Sequence, residues 1–244
     1  MDKLKRILSS VPEDAIVVDV GTGVGSFIEI LDESLMGCRS IIGIDSKEVA
    51  VDRAREYFKN NTKVEFKIMD AEKMDFKDES IDIVSISNTI HHLPHKEKVL
   101  SEMKRVLKPG GLMIVNEMIS DGLTPKQRSH MLLHHLYAEI NTLCGVYHER
   151  TMTRKEYIDV LNSLGMDQVG TFDYCTEEEQ LKDTKPKEEK EALDEWFGAI
   201  DKGLERIKDL PEYKGYVVKL NNFKQELYKI GYLNATEVVA VYRK

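Results

Sequence analysis

Between Ala15 and Lys108, short β-branched runs alternate with stretches whose apolar residues recur every three or four positions. Runs that are apolar on both sides suit strands covered by helices on both faces, so this alternation predicts βαβ units around a parallel sheet. AIVVDV (15–20) predicts the first strand, followed by a glycine-rich turn and a helix from near Ser26 with Phe27, Ile30 and Leu31 on its apolar side. SIIGID predicts a second strand ending at Asp45, and Ser46 reads as the N-cap of a helix running to Phe58. VEFKIM and IDIVSIS predict the third and fourth strands, ending at Asp70 and at Ser87 or Asn88. A helix from Pro94 or His95 carries Val99, Leu100, Met103, Val106 and Leu107 at helical spacing. Pro109-Gly110-Gly111 stops it and turns the chain into a fifth strand, LMIVNEM.

After Met118 the pattern changes. Residues 124–144 read as one helix with Leu133, Leu136, Tyr137, Ile140, Leu143 and Cys144 on a common side, and residues 153–164 as a shorter helix stopped by Gly165. Met166–Tyr174 and Glu237–Tyr242 read as strands. The long connection between them opens with a charged stretch, TEEEQLKDTKPKEEKE, and continues with two amphipathic helices around Leu193–Ile207 and Tyr216–Leu227.

At 244 residues the chain suits a single domain over 1–244. No apolar run approaches the roughly 20 residues needed to span a bilayer, and the basic N-terminal stretch lacks the apolar segment of a signal peptide. Three widely spaced cysteines, Cys38, Cys144 and Cys175, read as free thiols, and the expectation is a cytoplasmic protein. A net charge of −8 argues against a large nucleic-acid footprint and favours a small-molecule partner.

The segment VVDVGTGVGSF (17–27) carries the clearest chemistry. Gly21, Gly23 and Gly25 permit a tight turn and close approach of a ligand. A nicotinamide fingerprint needs glycine where Ser26 stands. An acid just before the turn, Asp19, instead suits a ligand with an ammonium group.

On these motifs, residues 15–118 resemble the class I S-adenosylmethionine-dependent methyltransferases, most closely the small-molecule branch that includes the ubiquinone/menaquinone-biosynthesis type. The resemblance implies an α/β, doubly wound, seven-stranded Rossmann-like sheet ending in an antiparallel hairpin, with strand seven between five and six. It implies that Asp19, Gly21, Gly23 and Gly25 hold the methionine portion of the cofactor, with Asp45 and the adjoining Ser46 at the ribose. Asp70 and Ala71 would then stand at the adenine and Asn88 beside the cofactor. The long hairpin connection departs from the family pattern, so residues 175–235 read as an insertion serving as substrate cover, dimer surface or packing extension. Residues 119–165 read as a helical insertion over the acceptor site.

The histidines leave alternatives open. His91 is the candidate general base, against the plainer reading that His91 and His92 only shape their loop. His130 and His134 share a helix face and, with Tyr137, read as substrate contacts. Together with His148 (or Glu149) they also form a candidate set for a divalent metal that would assist transfer. The expected function is methyl transfer from S-adenosylmethionine to an O, N, S or activated C of a small molecule. A protein or RNA methyltransferase and a non-catalytic cofactor- or metal-sensing module are the alternatives. The acceptor and the oligomeric state are left open.

Overall fold

The computed structural model describes residues 2–183 and 185–244. Five strands run parallel: β1 (Ile16–Val20), β2 (Ser40–Asp45), β3 (Val64–Ile68), β4 (Ile81–Ser87) and β5 (Leu107–Met118). Strand β7 (Glu237–Arg243) enters antiparallel between β5 and β6 (Asp167–Tyr174), giving the order β3-β2-β1-β4-β5-β7-β6. This is the doubly wound sheet with a terminal hairpin that the motifs imply.

The strands are apolar throughout because each face packs against helices. Val17, Ile41, Ile83 and Ile114 face one layer, built by α1 (Asp2–Leu8), α2 (Ser26–Ser34) and α3 (Glu48–Tyr57). Val18, Ile42, Val84 and Val115 face the other, where α4 (Lys96–Val106) and α6 (Arg154–Asn162) supply Leu100, Met103, Tyr157 and Leu161. A third apolar cluster lies outside the sheet. It joins α5 (Pro125–Leu143) to α8 (Pro186–Arg206) and α9 (Tyr213–Ile230) through Leu133, Leu136, Ile140, Phe197, Ile200 and Leu227. The segment between β6 and β7 is therefore a helical layer packed on α5.

Four local details differ from the sequence reading. Helix α1 was not anticipated, although Leu4 and Leu8 are fully buried, because seven residues give periodicity too little length to register. The charged stretch after Tyr174 contains a separate helix, α7 (Glu177–Asp183), opened by Thr176 and Glu179 exchanging hydrogen bonds across the first turn. The N-cap of α3 is Lys47 rather than Ser46, and the Asp45 carboxylate accepts from the Lys47 amide at 2.8 Å. Finally, Pro109-Gly110-Gly111 lies inside β5. Ile81 pairs with Leu107 and Ile83 with Leu112, so the turn is a bulge that the strand absorbs, helped by the positive φ of Gly110.

Helix α6 starts at a reciprocal cap: the Glu156 amide donates to Thr153 Oγ1 at 3.3 Å and the Thr153 amide donates to Glu156 Oε2 at 2.8 Å. Thr153→Ala is expected to cost about 1 kcal/mol, lowering the melting temperature by about 2–4 °C for a domain of this size. Scanning calorimetry checks this, and an unchanged melting point would show that the cap contributes nothing.

Candidate active site

Parallel α/β sheets bind ligands outside the carboxyl ends of their strands, at the point where strand order reverses. Here that point lies between β1 and β4, and a cleft of about 500 Å³ opens there. Its walls include Gly21, Gly23, Asp45, Ser46, Asp70, Ala71, Asn88 and His92, gathered from the ends of four strands. Gly21 and Gly23 both have positive φ. A Cβ on Gly21 would come within 2.3 Å of the Thr89 methyl, whereas one on Gly23 would stand in open space. The glycine at position 23 thus keeps the mouth of the cleft clear.

The Asp45 carboxylate is fixed rather than free-swinging. Its Oδ2 accepts from the Gly23 amide at 3.0 Å and its Oδ1 from the Lys47 amide at 2.8 Å, which leaves a second lone pair on each oxygen. Asp70 is held by one oxygen, Oδ1, which accepts from the Glu72 amide at 2.8 Å. Three other residues predicted for this site have different duties. Asp19 is buried beneath the loop and does not line the cleft. It accepts from Ser85 Oγ at 2.6 Å, and burial pushes its carboxyl up to about 6. Gly25 caps α2, where a Cβ would meet the Phe58 ring at 2.5 Å, so it serves helix packing. Asn88 lines the cleft at positive φ, but its Oδ1 accepts from the Met118 amide at 2.9 Å and so ties β4 to β5.

Residues 18–115 match the family described as "Methyltransferase domain". A ubiquinone/menaquinone biosynthesis C-methyltransferase, UbiE, of Campylobacter jejuni is 35% identical over 118 residues, 46% of this chain and 49% of that protein. A sterol 24-C-methyltransferase of Debaryomyces hansenii is 36% identical over 114 residues, 44% of this chain and 29% of that protein. Among solved structures, an S-adenosylmethionine-dependent methyltransferase of Methanosarcina mazei superposes with a TM-score of 0.58 at 17% identity, covering 96% of this chain and 94% of that one. The chain carries a class I S-adenosylmethionine-dependent methyltransferase domain. The match spans half or less of these curated relatives, and the likeness to the solved structure is one of fold.

The residues of this methyltransferase cleft fit the donor group by group. The open backbone at Gly23 gives room for a methionine tail, and the spare lone pairs of Asp45 suit a cis diol. The uncommitted oxygen of Asp70 suits an exocyclic amine. No helix among the described residues is long and apolar enough to cross a membrane.

Beside the cleft lies a cluster of histidines. His91 and His92 form a 3-10 turn (Ile90–His92) just after β4, and His148 comes from the loop after α5. Rings of His91 and His92 are 4.4 Å apart, those of His92 and His148 4.1 Å, and those of His91 and His134 4.9 Å. His148 Nε2 lies 3.3 Å from His134 Nε2. Glu117, buried at the end of β5, organises this corner. Its Oε1 accepts from the amides of Thr89 and Ile90 at 2.8 and 2.7 Å, and its Oε2 lies 2.8 Å from His91 Nδ1. A carboxylate so held takes the proton of Nδ1 as a hydrogen bond and leaves Nε2 of His91 as the basic atom.

His130 stands apart from the other members of the expected metal set. Its Nδ1 accepts from the Ala235 amide at 2.9 Å, and its ring lies between Trp196 and Tyr232 on a second cavity of about 540 Å³. The structure therefore joins His134 and His148 as expected, but fills out the cluster with His91 and His92 rather than His130. Tyr137 faces a separate groove with Glu195, Lys202 and Arg206 of α8, away from the donor cleft. Glu149 pairs with Lys96 at 2.6 Å instead of turning to the cluster. Sequence reasoning missed Glu117 altogether, although a lone acid at the C-terminal end of an otherwise apolar strand was its signal.

Burial holds most of these imidazoles in the neutral form. It lowers His130 and His135 to about 4, and His148, with further lowering from His91 and His135, also to about 4. His92 is open on the cleft side, yet the protein behind it and its neighbours His91 and His148 bring it to about 3. His134 is lowered by burial first and by His91 and His148 next.

Proposed function

We propose that the protein transfers a methyl group from S-adenosylmethionine to a small-molecule acceptor that approaches along the histidine side of the cleft. The observation that carries this reading is the convergence of Gly21, Gly23, Asp45, Asp70 and Ala71 on one 500 Å³ cleft at the switch point of the sheet. The donor supplies a methyl carbon on a good leaving group, so the protein's work is alignment and exclusion of water. Asp45 would hold the ribose diol and Asp70–Ala71 the adenine edge, while the bare backbone of Gly21–Gly23 takes the methionine end.

Val146 and Tyr147, from the loop after α5, complete the wall opposite the glycines, which supports acceptor recognition by residues 119–165. An acceptor hydroxyl or thiol must lose its proton as the methyl arrives. His91, with Nδ1 committed to Glu117, is the residue proposed to activate it through Nε2. The relatives named for C-methyltransferase activity on quinone precursors and sterols favour a small molecule over protein or RNA, as does the acidic balance of the chain.

Isothermal calorimetry with S-adenosylmethionine and S-adenosylhomocysteine tests the reading. Saturable binding of both at one site per chain is expected. Absence of heat at millimolar ligand rejects it.

A further inference from the structure

Buried imidazoles are usually partnered by carbonyls, carboxylates or water, because two neutral rings can share only one hydrogen between facing nitrogens. Here four rings from three chain segments face one another. One ligating nitrogen from each of His91, His92 and His148 lies within 4.8 Å of the others. Nε2 of His134 adds a fourth at 3.3 Å from His148 Nε2, while its buried Nδ1 has no hydrogen-bond partner among the described residues.

That 3.3 Å spacing is informative. Two nitrogens bound to a zinc-sized cation at about 2.0–2.1 Å with a tetrahedral angle stand roughly 3.3–3.4 Å apart. The widest spacing in the cluster asks for side-chain rotations of about 1 Å to close on the same centre. His91 also has the outer support of a metal-bound histidine. Its far nitrogen is engaged by a buried carboxylate that is itself anchored by two backbone amides, which fixes the ring and turns Nε2 into the cluster.

We infer that His91, His92, His148 and His134 form a binding site for one first-row divalent transition-metal cation at the edge of the donor cleft. All-imidazole donors select zinc, cobalt, nickel or copper over magnesium and calcium, which prefer oxygen. His92 lines both the cluster and the cleft, so an acceptor's hydroxyl or thiol oxygen or sulfur can join the cation on the side facing the donor. Coordination there lowers the acceptor's pKa, releases its proton to solvent and leaves the lone pair for the methyl carbon. The purpose given to the site rests on the methyl-transfer reading; its existence does not.

The test uses the full chain, stripped with chelator and titrated with Zn²⁺ or Co²⁺. One equivalent per chain is expected, with a dissociation constant in or below the micromolar range, no competition from Mg²⁺, and visible bands of nitrogen-ligated cobalt. His92→Ala, at the open edge, and His148→Ala should each weaken binding at least tenfold. Glu117→Gln should weaken it by about 10–100-fold through loss of ring positioning. His130→Ala should leave stoichiometry and affinity unchanged. Pulsed electron paramagnetic resonance of the Cu²⁺-loaded wild-type chain counts bound imidazoles without any variant. Fewer than three imidazoles, zinc binding no tighter than millimolar, or a loss in His130→Ala but not in His92→Ala would overturn the inference. S-adenosylhomocysteine binding to the metal-free protein is measured in parallel. Failure there removes the methyl-transfer reading and leaves the metal site standing, and the reverse outcome separates them equally well.

Discussion

Replacing Asp45 with alanine should weaken binding of S-adenosylmethionine and S-adenosylhomocysteine together, by roughly a hundredfold or more. Both carboxylate oxygens are held by backbone amides, from Gly23 and Lys47, so a diol meets a group that is already aimed and loses little freedom on binding. Hydrogen bonds to a charged partner are worth about 1.5–3 kcal/mol each. Two of them amount to about 3 kcal/mol at the low end, about a hundredfold in affinity. The same substitution also frees the glycine loop from β2, which adds to the loss. Asp45→Asn keeps an acceptor oxygen and should fall between the two. Calorimetric titration reads the effect, and wild-type affinity in Asp45→Ala would show that the ribose is held elsewhere.

Acidification should unfold the metal-free protein well above the range in which ordinary carboxylates titrate. His130, His135 and His148 are lowered from about 6.5 to about 4, so the unfolded chain binds more protons between those values. The stability they contribute is fully present above pH 6.5 and is lost as pH falls toward 4. His130, the best shielded of the three, represents about 3 kcal/mol by itself. Asp19 works in the opposite sense. Its carboxyl is raised to about 6, so its burial is easiest below pH 4 and costs most above pH 6. One carboxyl does not offset several imidazoles, and the melting temperature should drop steadily between pH 6.5 and 4. A flat profile across that window would show that the rings are hydrated or already charged in the folded state. His130→Gln should soften the slope.

Much of the sheet was legible because its strands are apolar on both faces and its helices alternate with them at regular intervals. Asp45 could be placed from sequence since it ends an unbroken run, SIIGID, and a strand end in a parallel sheet has a fixed side. Asp19 and Gly25 were recognised as parts of the glycine loop, yet their work is internal. One is sealed under the loop with Ser85, and the other makes room for Phe58. Spacing along a chain cannot distinguish a residue that lines a cavity from one a single layer below it. The histidines show the other limit. His130 and His134 are neighbours by helical period, so they were grouped. His91 and His92 reach His148 only because β4, β5 and the loop after α5 meet at one corner. Glu117 has meaning only in that meeting.

The segment between β6 and β7 leaves the sheet at Tyr174 and returns at Glu237, and these two residues face each other on the same rung of the hairpin. A detour that departs from and rejoins one rung can be lengthened, shortened or exchanged while every strand keeps its register. Its helices α8 and α9 nevertheless bear on α5, the element carrying His130 and His134. The fold thus keeps a conserved-length socket for the donor and hangs its acceptor-side wall on a replaceable cartridge, so diversification of what is methylated need never disturb how the methyl is supplied.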